Sequence, residues 1–384
     1  MCFTACVSTP IQSAQIKTGC EQTALYLPLL KGKSMALVAN NTSLIGKSHM
    51  ADSLISSGIN LVRIFSPEHG FRGNADAGVA IDDTVDNRTG VPVTSLYGSK
   101  TKPTPDDLKD IDIVIYDIQD VGVRFYTYIS TLHYIMEACA ARNIPVIILD
   151  RPDPLGFYID GPVLDPAYKS FVGLHPIPVV YGMTAGELAQ MINGEGWLSD
   201  SLKCDLKVIP CSNYDHNTFY NLPVNPSPNL NSMEAVYLYP SLCFFEGTIM
   251  SLGRGTSFPF RVVGHPEYPV KSFSFEPQET PANKNPKYLG KTCYGINLQP
   301  LDIVSLRQMH GLTLQWLIDM YNTMGHGETF FTDYIDKLAG TGELRKQILA
   351  GLTEEQIRQS WQGDLKKFIA LRKKYLLYED FTTH

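Results

Sequence analysis

The length and composition of this chain are typical of a globular protein with two domains. Its 384 residues are 44% hydrophobic and 18% charged, a balance that excludes a disordered chain or a long coiled coil. A chain of this length exceeds what one hydrophobic core ordinarily organises, so two domains are expected. The net charge of −7 argues against a nucleic-acid partner, and no apolar stretch has the length of a transmembrane helix.

The cysteines and the first residues bear on the compartment. None of the eight cysteines forms a CxxC pair, so a zinc knuckle or a thioredoxin-type site is not expected. Cys204 and Cys211 could form a disulfide across a hairpin in an oxidising compartment. The segment Phe3–Cys6 resembles the lipobox of bacterial lipoproteins, which predicts a lipid anchor at Cys6, although no apolar segment precedes it. We therefore expect a periplasmic protein or lipoprotein of the cell envelope, and a cytoplasmic one if this N-terminus is native and complete.

Strand and helix patterns alternate through about the first 150 residues. Short apolar runs that end in polar or Pro/Gly-rich residues predict strands at Ser34–Val38, Leu61–Phe65, Val93–Tyr97, Ile111–Tyr116 and Pro145–Leu149. Helical patterns separate them at His49–Ser57, Pro105–Lys109 and Thr127–Arg142. This alternation predicts an α/β fold with a parallel sheet, and right-handed crossovers place the carboxyl ends of its strands along one edge.

Polar residues follow these strands at the points where the strands end. The pairs are Asn40 with Asn41, Glu68 with His69, Asp117 with Asp120, and Asp150 with Arg151. One such pair would be a capping group, but four in succession predict a cleft at this edge of the sheet. Neither a GxGxxG motif after the first strand nor a GxxxxGK[ST] motif occurs, so no nucleotide cofactor is expected.

The pattern loosens into Pro-, Gly- and Asp-rich sequence at Gly156–Val172, where we place the domain boundary. The prediction is a sheet domain at 24–158 that carries the acidic edge, and a smaller α+β domain at 159–384 that closes the cleft. After this boundary, Thr184 and Glu187 form a capping box that starts a helix over Thr184–Asn193. The remaining elements are a strand at Asp205–Pro210, a loop at Pro223–Asn231, an apolar segment at Ala235–Glu246, and helices at Leu312–Tyr321 and Asp364–Tyr375.

Glu68 is the strongest candidate for a general acid. It lies in the segment Phe65–Gly73, which reads FSPEHGFRG and follows a predicted strand directly. A proton donor needs a carboxyl whose pKa is raised by apolar walls or by a nearby negative charge, and Phe65, Phe71 or the two aspartates could supply these. His69 could orient Glu68 or bind substrate. The alternative is a solvated loop whose charges cap a helix.

Two further clusters carry polar groups suited to a sugar. After the Ile111–Tyr116 strand, Asp117 and Asp120 could flank a ligand, bind a metal or cap the next helix, and Arg124, Tyr126 and Tyr128 are candidate substrate contacts. Arg254 lies between Gly253 and Gly255, where a guanidinium can bind a carboxylate with two parallel hydrogen bonds; the alternative is a salt bridge on the protein surface. Glu246, within an apolar run, is expected to be paired or functional.

These segments resemble those of a bacterial family, the NamZ-type exo-β-N-acetylmuramidases, formerly known as a domain of unknown function. The resemblance covers essentially the whole chain from about Ala24 and is carried by SPEHGFRG, YDIQDVGVRFYTY, LDRPDPLG, DGPVLD, YGMTAGELA, YPSLCFFEGT and LGRGTSFPF. It implies a Rossmann-like domain joined to a smaller domain with the active cleft between them. It also implies release of N-acetylmuramic acid from the non-reducing end of peptidoglycan fragments, with Glu68 of the PEHG motif as the catalytic glutamate.

The reaction that this resemblance implies suggests roles for the other candidate residues. Hydrolysis of a glycoside needs an acid and a second carboxylate, for which we expect Asp117 or Asp120. Arg254, Arg72 or Arg124 would recognise the lactyl carboxylate of muramic acid, with Arg254 preferred. Two other functions stay open: a metal-dependent ester or phosphoester hydrolase that uses Asp117, Asp120 and His69, and a non-catalytic periplasmic sugar-binding protein.

Overall fold

A seven-stranded sheet organises the part of the chain up to residue 209, which we call the first half; the rest is the second half. The computed structural model describes residues 15–72 and 83–382. Its first nine strands are β1 (Ser34–Ala39), β2 (Leu44–Ile45), β3 (Ser48–His49), β4 (Asn60–Ser66), β5 (Thr84–Val85), β6 (Pro92–Ser95), β7 (Ile113–Asp117), β8 (Val146–Leu149) and β9 (Leu206–Ile209). The sheet has the order β5-β6-β4-β1-β7-β8-β9, in which only β5 is antiparallel to its neighbour, and β2 with β3 forms a separate hairpin.

The six parallel strands have the order of a Rossmann-like fold. From β1 the chain builds outward through β4 and β6, then returns to the other side of β1 and builds outward through β7, β8 and β9. This is the order 3-2-1-4-5-6 of doubly wound α/β domains, which bind ligands beyond the carboxyl ends of the strands. The predicted fold class is therefore confirmed.

Helices cover both faces of the sheet. These are α1 (Thr23–Leu30), α2 (Met50–Ser56), α3 (Tyr128–Ala140) and α4 (Ala185–Gly194). Successive side chains of a strand point to opposite faces, and in β1 Met35 and Leu37 pack with α1 and α2 while Ala36 and Val38 pack with α3 and α4. Both faces are apolar because both are buried.

The second half contains a small antiparallel sheet and six helices. The strands are β10 (Val262–His265), β11 (Ser274–Phe275) and β12 (Cys293–Asn297), in the order β10-β12-β11. The helices are α5 (Met233–Leu242), α6 (Ile303–Gln308), α7 (Gln315–Met324), α8 (Tyr334–Ala339), α9 (Glu343–Leu349) and α10 (Glu354–Arg372). Their buried apolar residues belong to the same cluster as those of α3 and α4, so the two halves share one hydrophobic core.

Two predicted helices differ from the structure. Residues 105–110 form turns instead of a helix, because the carboxylate of Asp107 accepts the backbone N–H and the hydroxyl of Thr104 and ties the segment locally. Helix α10 begins at Glu354, ten residues before the predicted start at Asp364, because Thr353 and Gln356 form a capping box there.

The sheet continues past the predicted boundary at residue 158. Strand β9 pairs in parallel with β8, and α4 packs against both strands. The Pro- and Gly-rich stretch after Gly156 is held to the first half, because Val180 bridges both Val123 and Asp160. It is therefore an excursion from the sheet domain and not a linker.

Cys204 and Cys211 do not form the disulfide that the sequence suggested. They flank the single strand β9, and both are buried free thiols; about seven extended residues hold their backbones roughly 20 Å apart. The predicted lipid anchor at Cys6 lies outside the described residues. Among the described helices, none combines the length and apolarity needed to span a bilayer.

Candidate active site

A cavity of about 390 Å³ opens at the carboxyl edge of the sheet, where the two halves meet. Its volume lies in the range of small-molecule sites. The first half contributes Glu68, His69, Tyr97, Phe125, Tyr126, Thr127, Tyr128, Phe171 and Val172, and the second half contributes Ser227, Asn229, Leu230, Tyr239, Glu246, Arg254, Phe260, Asn283, Asn285, Pro286, Lys287 and Tyr334. Of the candidates from sequence, Glu68, His69, Tyr126, Tyr128, Glu246 and Arg254 line this cavity.

Glu68 and His69 lie in the turn that follows β4. Glu68 is half-buried, and the Thr127 hydroxyl donates to its Oε2 at 3.4 Å. His69 is buried at 6% exposure and has a φ of 69°, a left-handed conformation that costs free energy for a residue other than glycine. The rest of the fold therefore holds the backbone of this turn in a strained conformation, which sets the orientation of the Glu68 and His69 side chains.

Tyrosines build much of the cavity wall. The Tyr126 hydroxyl donates to the carbonyl of Pro226 at 2.7 Å, and the Tyr126 and Tyr128 rings meet edge to face at 4.6 Å. Burial, then the negative charges of Glu68 and Glu246, raise the pKa of Tyr97, and the same two carboxylates contribute to the raised pKa of Tyr334 after burial. Both phenols therefore remain protonated donors between the two acidic groups.

Glu246 is the second carboxylate of the cavity. It lies on a 3₁₀ turn at Cys243–Gly247, directly after α5. Its Oε1 accepts a hydrogen bond from Arg254 at 2.5 Å, and the Arg254 guanidinium lies over the Phe260 ring at 5.0 Å. The guanidinium that was predicted to grip a substrate carboxylate is thus held by a carboxylate of the protein.

The glycines beside Arg254 are required by the backbone. Gly253 and Gly255 have φ of 70° and 84°, where other residues are strained. A Cβ at Gly255 would also lie 2.5 Å from the carbonyl oxygen of Gln278, whose N–H donates to the Gly255 carbonyl at 2.8 Å. These glycines allow a neighbouring loop to dock on this turn.

The aspartates predicted as the second carboxylate do not line the cavity. Asp117 is fully buried in an ion pair with Arg151, which donates to its two oxygens at 2.7 and 3.1 Å. Asp120 accepts hydrogen bonds from the Tyr181 hydroxyl and from the Gly122 N–H. The expected convergence of both aspartates with Glu68 and His69 is therefore corrected to Glu68 and His69 alone.

Asp150, another strand-end residue, anchors the chain terminus. It is fully buried and accepts hydrogen bonds from the Thr184 hydroxyl at 2.7 Å, the Gly186 N–H at 2.8 Å and the Tyr378 hydroxyl at 2.6 Å. Burial raises the pKa of Asp150 to about 6, as it does for Asp120. These carboxyls hold the fold together and do not contact the cavity.

The other predicted contact residues also form hydrogen bonds within the protein. The buried Arg124 guanidinium donates to four backbone carbonyls, those of Pro162, Ile177, Leu338 and Ala339. Arg72 forms two hydrogen bonds of 2.8 Å with Asp86, Asn40 accepts from the backbone and hydroxyl of Thr42, and Asn41 donates to the Asn225 carbonyl. Within residues 15–72 and 83–382, no three His, Cys, Asp or Glu side chains are grouped to hold a metal ion.

Comparison with known proteins places this geometry in a family. The model described as "Exo-beta-N-acetylmuramidase NamZ, N-terminal" matches residues 35–234, and the corresponding C-terminal model matches residues 237–378. The chain belongs to the NamZ family. It is 41% identical over 377 residues to the "Peptidoglycan beta-N-acetylmuramidase NamZ" of Bacillus subtilis (strain 168), covering 92% of this chain and 89% of that protein.

Two solved structures share the fold. Both are DUF1343 family proteins of Bacteroides fragilis NCTC 9343. One has a TM-score of 0.90 at 48% identity and covers 96% of this chain and 100% of its own. The other has a TM-score of 0.82 at 29% identity and covers 95% and 99%.

Several residues of the cavity wall in this NamZ family member could not be identified from a sequence motif. Tyr97 is the last residue of the predicted Val93–Tyr97 strand, which ends at Ser95 in the structure, and Asn229 lies in the predicted Pro223–Asn231 loop. Lys287 and Tyr334 come from segments with no motif, and only the packing of the two halves brings them to Glu68. Glu246 was a candidate from the sequence because it is a carboxylate within an apolar run.

Proposed function

We infer that this chain is a glycosidase of peptidoglycan, an exo-β-N-acetylmuramidase that releases N-acetylmuramic acid from the non-reducing end of glycan fragments. The observation that carries the inference is the cavity itself. It contains Glu68 of the PEHG segment and a second carboxylate, Glu246, within a protein whose relative is a peptidoglycan β-N-acetylmuramidase.

Glu68 acts as the general acid in this proposal. It would donate its proton to the glycosidic oxygen as the bond to the anomeric carbon breaks. The Thr127 hydroxyl and the strained His69 backbone support this role, because they fix the position of the carboxyl group in the cavity wall.

Glu246 fills the role that the sequence assigned to Asp117 or Asp120. An oxocarbenium-like transition state needs a carboxylate on the cavity wall, either as nucleophile or as base for water. Glu246 lines the cavity and neither aspartate does: Asp117 is held by Arg151, and the Oδ2 of Asp120 by Tyr181 and Gly122. Arg254 supports this assignment because it holds the Glu246 carboxylate in one orientation.

Aromatic rings would bind the sugar faces. Tyr126, Tyr128 and Tyr239 form one wall with edge-to-face contacts, and such rings present apolar faces together with polar tips. The pyranose C–H faces are expected to pack there, which would place the anomeric bond between the two carboxylates.

The cell envelope is the proposed location, since peptidoglycan fragments arise there and Phe3–Cys6 resembles a lipobox. Metabolic labelling of the protein with a fatty acid in its native host tests the anchor. We expect the wild type to incorporate the label and a Cys6→Ser variant not to.

Turnover of a defined substrate tests the function. The purified chain should hydrolyse 4-nitrophenyl β-N-acetylmuramide far faster than the matching glucosaminide, with full activity after treatment with EDTA. No turnover of the muramide, together with EDTA-sensitive hydrolysis of a 4-nitrophenyl ester or phosphate, would favour the metal-dependent ester or phosphoester hydrolase. Tight binding of muramides with no turnover would favour the sugar-binding alternative.

A further inference from the structure

One loop of the second half forms part of the cavity wall. Residues 276–290 dock on the Arg254 turn through the Gln278–Gly255 hydrogen bond, and four of their side chains reach the cavity wall: Asn283, Asn285, Pro286 and Lys287. We call this the 276–290 loop. A short segment that supplies four wall positions is well placed to read the substituents of a bound sugar.

Of the two basic side chains that line the cavity among the described residues, Arg254 is in an ion pair, whereas Lys287 senses the negative charge of Glu246 without contacting it. Glu246 and Arg254 pair with each other. Lys287 forms no ion pair with any carboxylate of the described residues, and its Nζ donates to the Thr248 carbonyl at 2.7 Å. An ammonium group has three donors, so two N–H groups remain for a ligand while the third fixes the position of the head group.

A second observation marks the same wall as one that receives an acceptor. Asn229 is 3% exposed and lines the cavity, and its Oδ1 accepts a hydrogen bond from Asn283 of the 276–290 loop at 2.7 Å. The Nδ2 of Asn229 has no partner among the described residues. A buried amide left half-satisfied costs free energy, and a bound group with acceptor oxygens would remove that cost.

We propose that Lys287, positioned by the 276–290 loop, recognises the lactyl carboxylate of the terminal muramic acid, with Arg254 serving instead to hold Glu246. The proposal rests on the muramidase function inferred above. Muramic acid differs from glucosamine only by its lactyl ether, so discrimination requires a group that responds to this negative charge. Within the described residues, Lys287 is a cavity cation that forms no ion pair with a carboxylate of the protein.

The test removes the charge from the protein and from the substrate in turn. Lys287→Met should lower kcat/KM for a chromogenic β-N-acetylmuramide about five- to thirtyfold, mainly through KM, as expected for a charge-assisted contact near solvent. For the methyl ester of the same muramide, which lacks the negative charge, the wild type and Lys287→Met should have similar kcat/KM. Lys287→Arg should restore part of the preference for the free acid.

Lys284→Met is the matched control, since Lys284 lies on the same loop, is exposed and pairs with Glu279. It should leave the acid-to-ester ratio unchanged. An unchanged ratio in Lys287→Met would overturn the proposal while leaving the muramidase function intact, because the wild type would still hydrolyse the muramide. If Arg254→Met abolishes the ratio and Lys287→Met does not, Arg254 is the carboxylate receptor.

Discussion

Acidic residues at the carboxyl ends of strands in the same sheet have two different roles: one lines the cavity, and others are buried and stabilise the fold. Glu68 follows β4 and lines a cavity, where its neighbours are hydroxyl groups and a second carboxylate from the other half. Asp117 and Asp150 end β7 and follow β8, yet each is fully buried and saturated by protein donors. All three lie at the carboxyl end of a strand or within two residues of it. What differs is the partner of each carboxylate. A carboxylate that receives donors from the protein stabilises the fold, and one that faces the cavity is available to a ligand.

The largest expected effect is on the cavity side of this comparison. Glu68→Gln keeps the shape and hydrogen-bonding capacity of the side chain but cannot deliver a proton. We expect kcat for the muramide to fall by about 10²–10⁴, with thermal stability within about 0.5 kcal/mol of the wild type. Near-normal turnover in the folded variant would remove Glu68 from the acid role.

Glu246→Gln sharpens the assignment of the second carboxylate. The variant keeps a neutral partner for Arg254 but loses the negative charge that faces the transition state. Turnover should fall by roughly 10² or more, and kcat should change more than KM. Turnover within about threefold of the wild type would show that Glu246 acts only as a partner of Arg254.

Asp117→Asn tests the buried side. The change leaves the Arg151 guanidinium buried beside a neutral group, and removal of one partner of a buried ion pair costs about 3–5 kcal/mol. Urea unfolding should record this loss, while the folded fraction retains its kcat at low temperature. A stable Asp117→Asn protein with no turnover would move Asp117 to the catalytic side.

The smallest expected effect is a pH dependence of stability. Burial raises the pKa of Asp120 from 3.8 to about 6, so between those two values the folded state binds more protons than the unfolded state. The contribution of Asp120 to stability is therefore greatest below about pH 4 and falls, by about 3 kcal/mol at most, as the pH rises to about 6.

Asp120→Asn does not titrate and removes this dependence. Urea unfolding of both proteins from pH 4 to pH 7 should show the wild type losing stability relative to Asp120→Asn as the pH rises. A difference that does not vary with pH would contradict a raised pKa at Asp120.

Local patterns in the sequence predicted the scaffold because they are recorded in neighbouring residues. The strands around β1, β4, β7 and β8 and the capping box of α4 were found this way. The roles of the polar residues could not be predicted in this way, because their partners lie far along the chain. Tyr378 is 228 residues from Asp150. Two of the carbonyls that accept hydrogen bonds from Arg124 belong to Leu338 and Ala339. Glu68 and His69, which the sequence proposed for the cleft from the motif in their own turn, line the cavity.

The most direct test of the account is the crystal structure of the Glu68→Gln variant with a disaccharide that has N-acetylmuramic acid at its non-reducing end. The account predicts that the muramic acid lies in the cavity, with the glycosidic oxygen about 3 Å from the side-chain amide at position 68 and the anomeric carbon facing Glu246. A disaccharide bound away from both side chains would contradict it.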